Sequence, residues 1–296
     1  ATYHRSPSDG RYLEEPMSDA RSSLVGDRIQ HSSDPAAATT DLRGRVALVT
    51  GVGRRRGIGS AICRALAARG ADVFFSHWKD YDRAAPMASD EDEPEALLEE
   101  LRATGVRAEG VEIDLSRPDS PERLLDATTE FLGPPSILVN AAAHSVRDGF
   151  EALDAEALDA HHAVNVRATA LLGVHFARRY LGGPGGRILN LSSGQSLGPM
   201  VGELAYAASK GAIEALTWTL AAEVGHKGIT VNAVNPGPTD TGWMTDEFKR
   251  ELAAKSPFGR VGEPEDAARL VAILATDEAA WISGQIIHSE GGFLRS

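Results

Sequence analysis

Between Val46 and Leu66 a short apolar run, Val46-Ala47-Leu48-Val49-Thr50, enters the turn Gly51-Val52-Gly53-Arg54-Arg55-Arg56-Gly57-Ile58-Gly59 and then a helix-like stretch, Ser60-Ala61-Ile62-Cys63-Arg64-Ala65-Leu66. A strand that passes through a glycine-rich turn straight into a helix is the opening unit of a parallel α/β sheet. Further apolar runs follow at 72–76, 106–113, 137–141, 187–191, 229–234 and 285–288. Helix-like segments lie near 58–69, 94–104, 119–132, 154–181, 204–226 and 264–275. Ile137-Leu138-Val139 is apolar on both faces, as a strand covered by helices on both sides must be. The alternation predicts a doubly wound parallel sheet of seven strands in a three-layer α/β/α arrangement.

Of the 296 residues, 42 are acidic and 30 basic, a net charge of −12. That balance argues against a nucleic-acid partner, which calls for a basic face. No apolar run reaches the roughly 18 residues a membrane span needs, and no apolar leader is visible. Cys63 is the one cysteine, so no internal disulfide forms; this fits a reducing, cytoplasmic setting, with Cys63 a buried small hydrophobe. No Cys/His spacing suggests a metal site. Residues 1–43, rich in Ser, Asp, Arg, Pro and Ala, read as an N-terminal extension, flexible or subunit-wrapping, ahead of a single domain over 44–296.

The turn from Gly51 to Gly59 brings backbone N–H groups and a helix N-terminus to one place, which suits a dinucleotide pyrophosphate. Gly51, Gly57, Ile58 and Gly59 are the expected contacts. An NAD site commonly has an acid at the end of the second strand for the ribose 2′-OH. Here that stretch is Ser76-His77-Trp78-Lys79, with no acid before Asp80. Arg54, Arg55 and Arg56 suit a 2′-phosphate instead, so NADP(H) is favoured, with His77 and Trp78 completing that end of the site. The alternative is a solvated arginine loop with Asp80 or Asp82 on the ribose of NAD.

Tyr206 and Lys210 stand at i and i+4 and share a helix face, with Ser193 thirteen residues upstream. An ammonium beside a phenol favours phenolate, so the Tyr206 pKa is expected to fall below its usual value of about 10. That would make it a general acid or base.

With these residues in place the sequence resembles the short-chain dehydrogenase/reductase family over about 44–296, in its single-domain, 3-oxoacyl-acyl-carrier-protein reductase-like branch. Thr50-Gly51 with Gly57-Ile58-Gly59 looks like the family's TGxxxGxG turn, two residues longer than usual. Asp114-Leu115 stands where the family meets adenine, and Asn140-Ala141-Ala142-Ala143 looks like its NNAG segment. Asn165, Ser193, Tyr206 and Lys210 match its catalytic set. Pro236, Gly237, Thr239 and Thr241 match the segment beside the nicotinamide. The resemblance implies a Rossmann-like fold and hydride transfer between a carbonyl and a secondary alcohol. Tyr206 would exchange the proton, Ser193 hold the oxygen, Lys210 bind the nicotinamide ribose, and Asn165 order a water. Gln195, Trp243 and Met244 would line the substrate pocket with Ser193 and Tyr206. The family's enoyl-reductase branch spaces Tyr and Lys more widely, so three intervening residues favour carbonyl chemistry. The resemblance also implies a homotetramer or dimer. Alternatives are a 3-oxoacyl thioester reductase acting on acyl carrier protein and a non-catalytic NADP(H)-sensing protein. The paired His161 and His162 read as packed or solvated helix residues, and His144 as a minor substrate contact.

Overall fold

Val46–Val49 forms β1 and leads into α1, Ile58–Ala67, in a computed structural model that describes residues 41–84, 92–182 and 185–293. β2 (Asp72–His77) is followed by the short α2 (Lys79–Ala84) and by α3 (Glu93–Ala103). Next come β3 (Ala108–Glu112), α4 (Ser120–Phe131) and β4 (Ile137–Asn140). α5 (Ala155–His161) runs through a π-helical stretch, His162–Ala168, into α6 (Thr169–Arg179). The remainder is β5 (Gly186–Leu191), α7 (Leu204–Val224), β6 (Ile229–Asn235), α8 (Asp246–Ala254), α9 (Pro264–Leu274) and β7 (Ile286–His288).

The strands pair in parallel in the order β3-β2-β1-β4-β5-β6-β7, the expected seven-stranded Rossmann-like sheet. Alternate side chains enter opposite layers. Val49, Phe75, Val139 and Leu189 pack toward Ile62, Leu66, Leu97 and Val271 on one face. Leu48, Phe74, Leu138 and Ile188 pack toward Leu124, Leu172, Phe176 and Leu220 on the other. The chain leaves β1 toward one sheet edge and β4 toward the other. Their diverging loops open a crevice at the C-terminal ends of these neighbouring strands.

Three local features depart from the sequence pattern. The helix expected over 154–181 is interrupted by the π-helical turn, whose wider winding carries Asn165 inward, where it is 1% exposed. α2 was not anticipated, since its six residues hold no apolar period. Of the extension expected over 1–43, residues 1–40 lie outside the described residues. Leu42, by contrast, is fully buried, and its N–H donates to the Arg69 carbonyl at 2.8 Å, so the folded body includes it.

Candidate active site

The crevice is shaped by backbone that tolerates no side chains. Gly51 has φ +75°, and a Cβ there would lie 2.5 Å from Ala142 Cα. A Cβ on Gly59 would lie 2.5 Å from the Gly51 carbonyl oxygen. The Thr50 hydroxyl accepts from the N–H groups of both Ala141 and Ala142, each at 3.1 Å, and so ties the end of β1 to the segment after β4. Ala141, where the family pattern has a second asparagine, therefore contributes its backbone. The N-cap of α1 is Gly57 in extended conformation, with no side-chain cap, so the first-turn N–H groups face the turn. Nearby, His77 Nδ1 and Asn140 Oδ1 are buried without a protein hydrogen-bond partner. Burial pushes the His77 imidazole pKa down, with Glu112 opposing. An uncapped helix start, a bare glycine cradle and unpartnered polar atoms at the strand ends together fit a bound dinucleotide. Trp78 follows His77 and is half-buried.

The three turn arginines do not act as one cluster. Arg55 pairs with Glu100 of α3 at 3.3 Å, and Arg56 with Asp240, beyond β6, at 3.4 Å. Arg54 lies nearest α2, where its charge lowers the pKa of both Tyr81 and Asp82 against the larger effect of their burial. The Asp82 carboxylate packs against Gly53, where a Cβ would meet it at 1.7 Å. Asp80 is exposed and paired with Arg83. Asp114 is engaged in its own turn: its carboxylate accepts from Ser116 N and Oγ, both at 2.8 Å, with Leu115 buried behind it.

Ser193, at the end of β5, and Tyr206 and Lys210, in the first turns of α7, come together. The Ser193 hydroxyl, 3.9 Å from Met200 Sδ, acts on the nearby Tyr206 phenol to lower its pKa, but desolvation outweighs this and pushes Tyr206 up to about 12. The expected lowering by Lys210 is thus overturned. The Lys210 ammonium lies over the Tyr206 ring, 5.5 Å from its centroid, and donates to the Leu191 carbonyl at 2.8 Å rather than flanking the hydroxyl. Tyr206 stays protonated through the neutral range and is poised as an acid.

Burial pushes Lys210 down to about 8, below its unfolded value of 10.5. The unfolded chain therefore binds more protons between these two values, and this residue's contribution to stability rises as pH climbs through that window. Lys210→Met removes the buried charge. Its stability advantage over the wild type should shrink by on the order of 2–3 kcal/mol between pH 7 and 10.5, read from denaturant midpoints of the two proteins. A difference that does not change with pH would show that the lysine is not desolvated.

Asn165 holds the segment after β4 from both sides. Its Oδ1 accepts from His144 N at 2.7 Å, and its Nδ2 donates to His144 O and Ser209 Oγ, both at 2.9 Å. The Ser192 hydroxyl turns inward to the buried Glu214, at 2.8 Å, leaving Ser193 as the serine that faces Tyr206. Gln195 donates to Ser192 at 3.4 Å, while its Oε1 is buried and unpartnered.

Sequence reasoning missed an aromatic line that ends on Tyr206. Ring centroids lie 5.6 Å apart for Tyr81–His144, 4.8 Å for His144–His161 and 6.4 Å for His161–Tyr206. His161 is 1% exposed, and its Nδ1–H donates to Ala157 O at 2.7 Å; His162 points to solvent. His161 ends α5 and His162 opens the π-helical stretch, and nothing in the sequence distinguishes the buried imidazole from the exposed one.

On the other bank, Gly237 has φ +63°, and a Cβ there would lie 2.4 Å from Glu290 Cβ. Thr239 bonds the carbonyls of Pro236 and Gly237 through its hydroxyl, at 3.1 and 3.2 Å, and half-buried Thr241 follows. Trp243 donates its indole N–H to Thr239 O at 3.1 Å and packs on Phe248, while Met244 is buried. Trp243 and Met244 lie in the loop just before α8. Among the described residues no group of three His, Cys, Asp or Glu could hold a metal, and no helix is long and apolar enough to cross a membrane.

Over residues 51–294 the chain matches the family model described as Enoyl-(Acyl carrier protein) reductase. With this fold and this site, the chain belongs to the short-chain dehydrogenase/reductase family of oxidoreductases. It is 52% identical over 253 residues to the uncharacterized oxidoreductase YjdA of Bacillus subtilis (strain 168), covering 85% of this chain and 97% of that protein. It is 39% identical over 261 residues to the NADPH-dependent aldehyde reductase-like protein, chloroplastic, of Arabidopsis thaliana, covering 86% and 95%. The solved short-chain dehydrogenase/reductase from Serratia marcescens BCRC 10948 is 33% identical with a TM-score of 0.76, covering 85% and 98%.

Proposed function

We propose that this protein reduces the carbonyl group of a small molecule to a secondary alcohol with NADPH. The observation that carries the reading is the convergence of Ser193, after β5, with Tyr206 and Lys210 of α7, the Lys210 ammonium 5.5 Å from the centroid of a Tyr206 ring whose phenol is held protonated. A protonated phenol can give its proton to an oxygen that gains negative charge during carbonyl reduction. When bound, NADPH supplies the hydride. Ser193 would hold the substrate oxygen beside the phenol, and Lys210 would place its ammonium behind the ring and toward the nicotinamide ribose. Asn165 would keep His144 and the post-β4 segment in register with Ser209 of α7. Gln195, Trp243 and Met244 would shape the pocket. Gly51, Gly57, Ile58, Gly59, His77, Trp78, Asp114, Asn140 and the Pro236–Thr241 segment would carry the cofactor.

Of the turn arginines, Arg54 lies on the α2 side of the turn, next to Tyr81 and Asp82 just after β2, where a ribose 2′-phosphate would be received. The pairing of Arg55 and Arg56 with carboxylates speaks against a basic docking face for acyl carrier protein. The NADPH-dependent relative supports the cofactor choice. A homo-oligomer is part of this reading, supported by Trp218, 55% exposed on α7. Titration with NADPH and NADH, followed by cofactor fluorescence, tests the reading. Tighter NADPH binding, reduced about tenfold or more in Arg54→Ala but with NADH binding unchanged, is the expected result. NADH preference would move attention to Asp82.

A further inference from the structure

Arg56 and Asp240 come from opposite banks of the crevice. Arg56 immediately precedes Gly57, the N-cap of α1, and Asp240 lies between Thr239 and Thr241 in the loop after β6. Asp240 itself is firmly seated. Its N–H donates to Gly262 O and the Gly262 N–H donates to Pro238 O, both at 2.9 Å. Its carboxylate accepts from Gly242 N at 2.9 Å and from the Lys249 ammonium of α8 at 2.7 Å, and it meets Arg56 Nη2 at 3.4 Å. One carboxylate, 11% exposed, therefore binds the glycine turn and the helix that follows Trp243 and Met244.

We propose that Arg56, Asp240 and Lys249 form an electrostatic strap across the crevice that slows release of the dinucleotide. This rests on the cofactor reading given above. A dinucleotide lying on Gly57–Gly59 and on Pro236–Thr241 leaves only when these segments part, and parting them breaks the Arg56–Asp240 pair. Arg56 is then a positioning residue that joins two loops, rather than a partner of the 2′-phosphate. Its side chain is 70% exposed beside a cavity of about 300 Å³ that Arg55, Arg260 and Glu263 also line, so solvent screens the pair and its effect is modest.

The distinguishing experiment is stopped-flow displacement of bound NADPH, and separately of bound NADH, from the full chain and from Arg56→Ala, Arg56→Lys and Lys249→Met. Both Arg56→Ala and Lys249→Met should speed release of both cofactors by about three- to tenfold, with Arg56→Lys largely restoring the wild-type rate. The double variant should release little faster than the faster single one, because both substitutions open one connection. An Arg56→Ala effect confined to NADPH, with Lys249→Met silent, would make Arg56 a phosphate ligand and overturn the strap. Wild-type protein that binds cofactor, with release unmoved by either substitution, overturns the strap alone. Wild-type protein that binds neither cofactor overturns the cofactor reading and the strap with it.

Discussion

Tyr206→Phe should lower kcat for carbonyl reduction by about 10²–10⁴-fold while NADPH binding persists. Phenylalanine keeps the ring that lies under the Lys210 ammonium and edge-on to His161, so the packing around the site survives. What disappears is the hydroxyl near Ser193 and the proton it carries. Steady-state kinetics with a reducible carbonyl, alongside cofactor fluorescence, separate these effects. A loss of less than about tenfold would place the proton donor elsewhere, and His144, the next imidazole but one along the aromatic line, would be the first residue to examine.

The second large effect is expected at Gly51. An alanine would have to hold φ near +75° and place its Cβ 2.5 Å from Ala142 Cα and 2.6 Å from Ala142 N. The first demand costs about 1–2 kcal/mol. The second falls on backbone, which has no flexible end to swing away, and adds roughly 1–3 kcal/mol. Gly51→Ala should therefore lose about 2–5 kcal/mol of stability, and with it the Thr50 contacts that set the crevice width. Gly105→Ala is the control: its φ is +93° with nothing within 4 Å of a Cβ, so only the backbone strain remains. Thermal unfolding of both variants checks the difference. Equal shifts would show that the Gly51–Ala142 approach is not constraining.

The parallel sheet was legible because buried parallel strands are apolar on both faces and the helices between them have their own period. The boundaries of β1, β4 and α9 follow from that pattern closely. The pairing of Tyr206 with Lys210 on one helix face was legible from their i, i+4 spacing, whereas Ser193 was brought to them by the family resemblance. Other features were not. Asn165 lies in a π-helical turn that no helical periodicity announces, and its clamp on His144 spans 21 residues of chain. Tyr81 sits on a helix too short to show a face, yet its hydroxyl accepts from Ser145 N at 3.1 Å.

Electrostatics marks the division most clearly. Residue types and spacing determined that a tyrosine and a lysine would share a helix face and that a glycine turn would follow the first strand of a parallel sheet, because backbone period and steric freedom are local properties. Whether the lysine would lower the tyrosine's pKa was decided only in three dimensions. There Lys210 turns to the Leu191 carbonyl, and burial raises the phenol instead. The arginines divide in the same way: their charge was visible in the chain, but their partners, Glu100 and Asp240, come from distant segments. A charge acts through its distance to other charges and to water, and those distances exist only once the chain has folded.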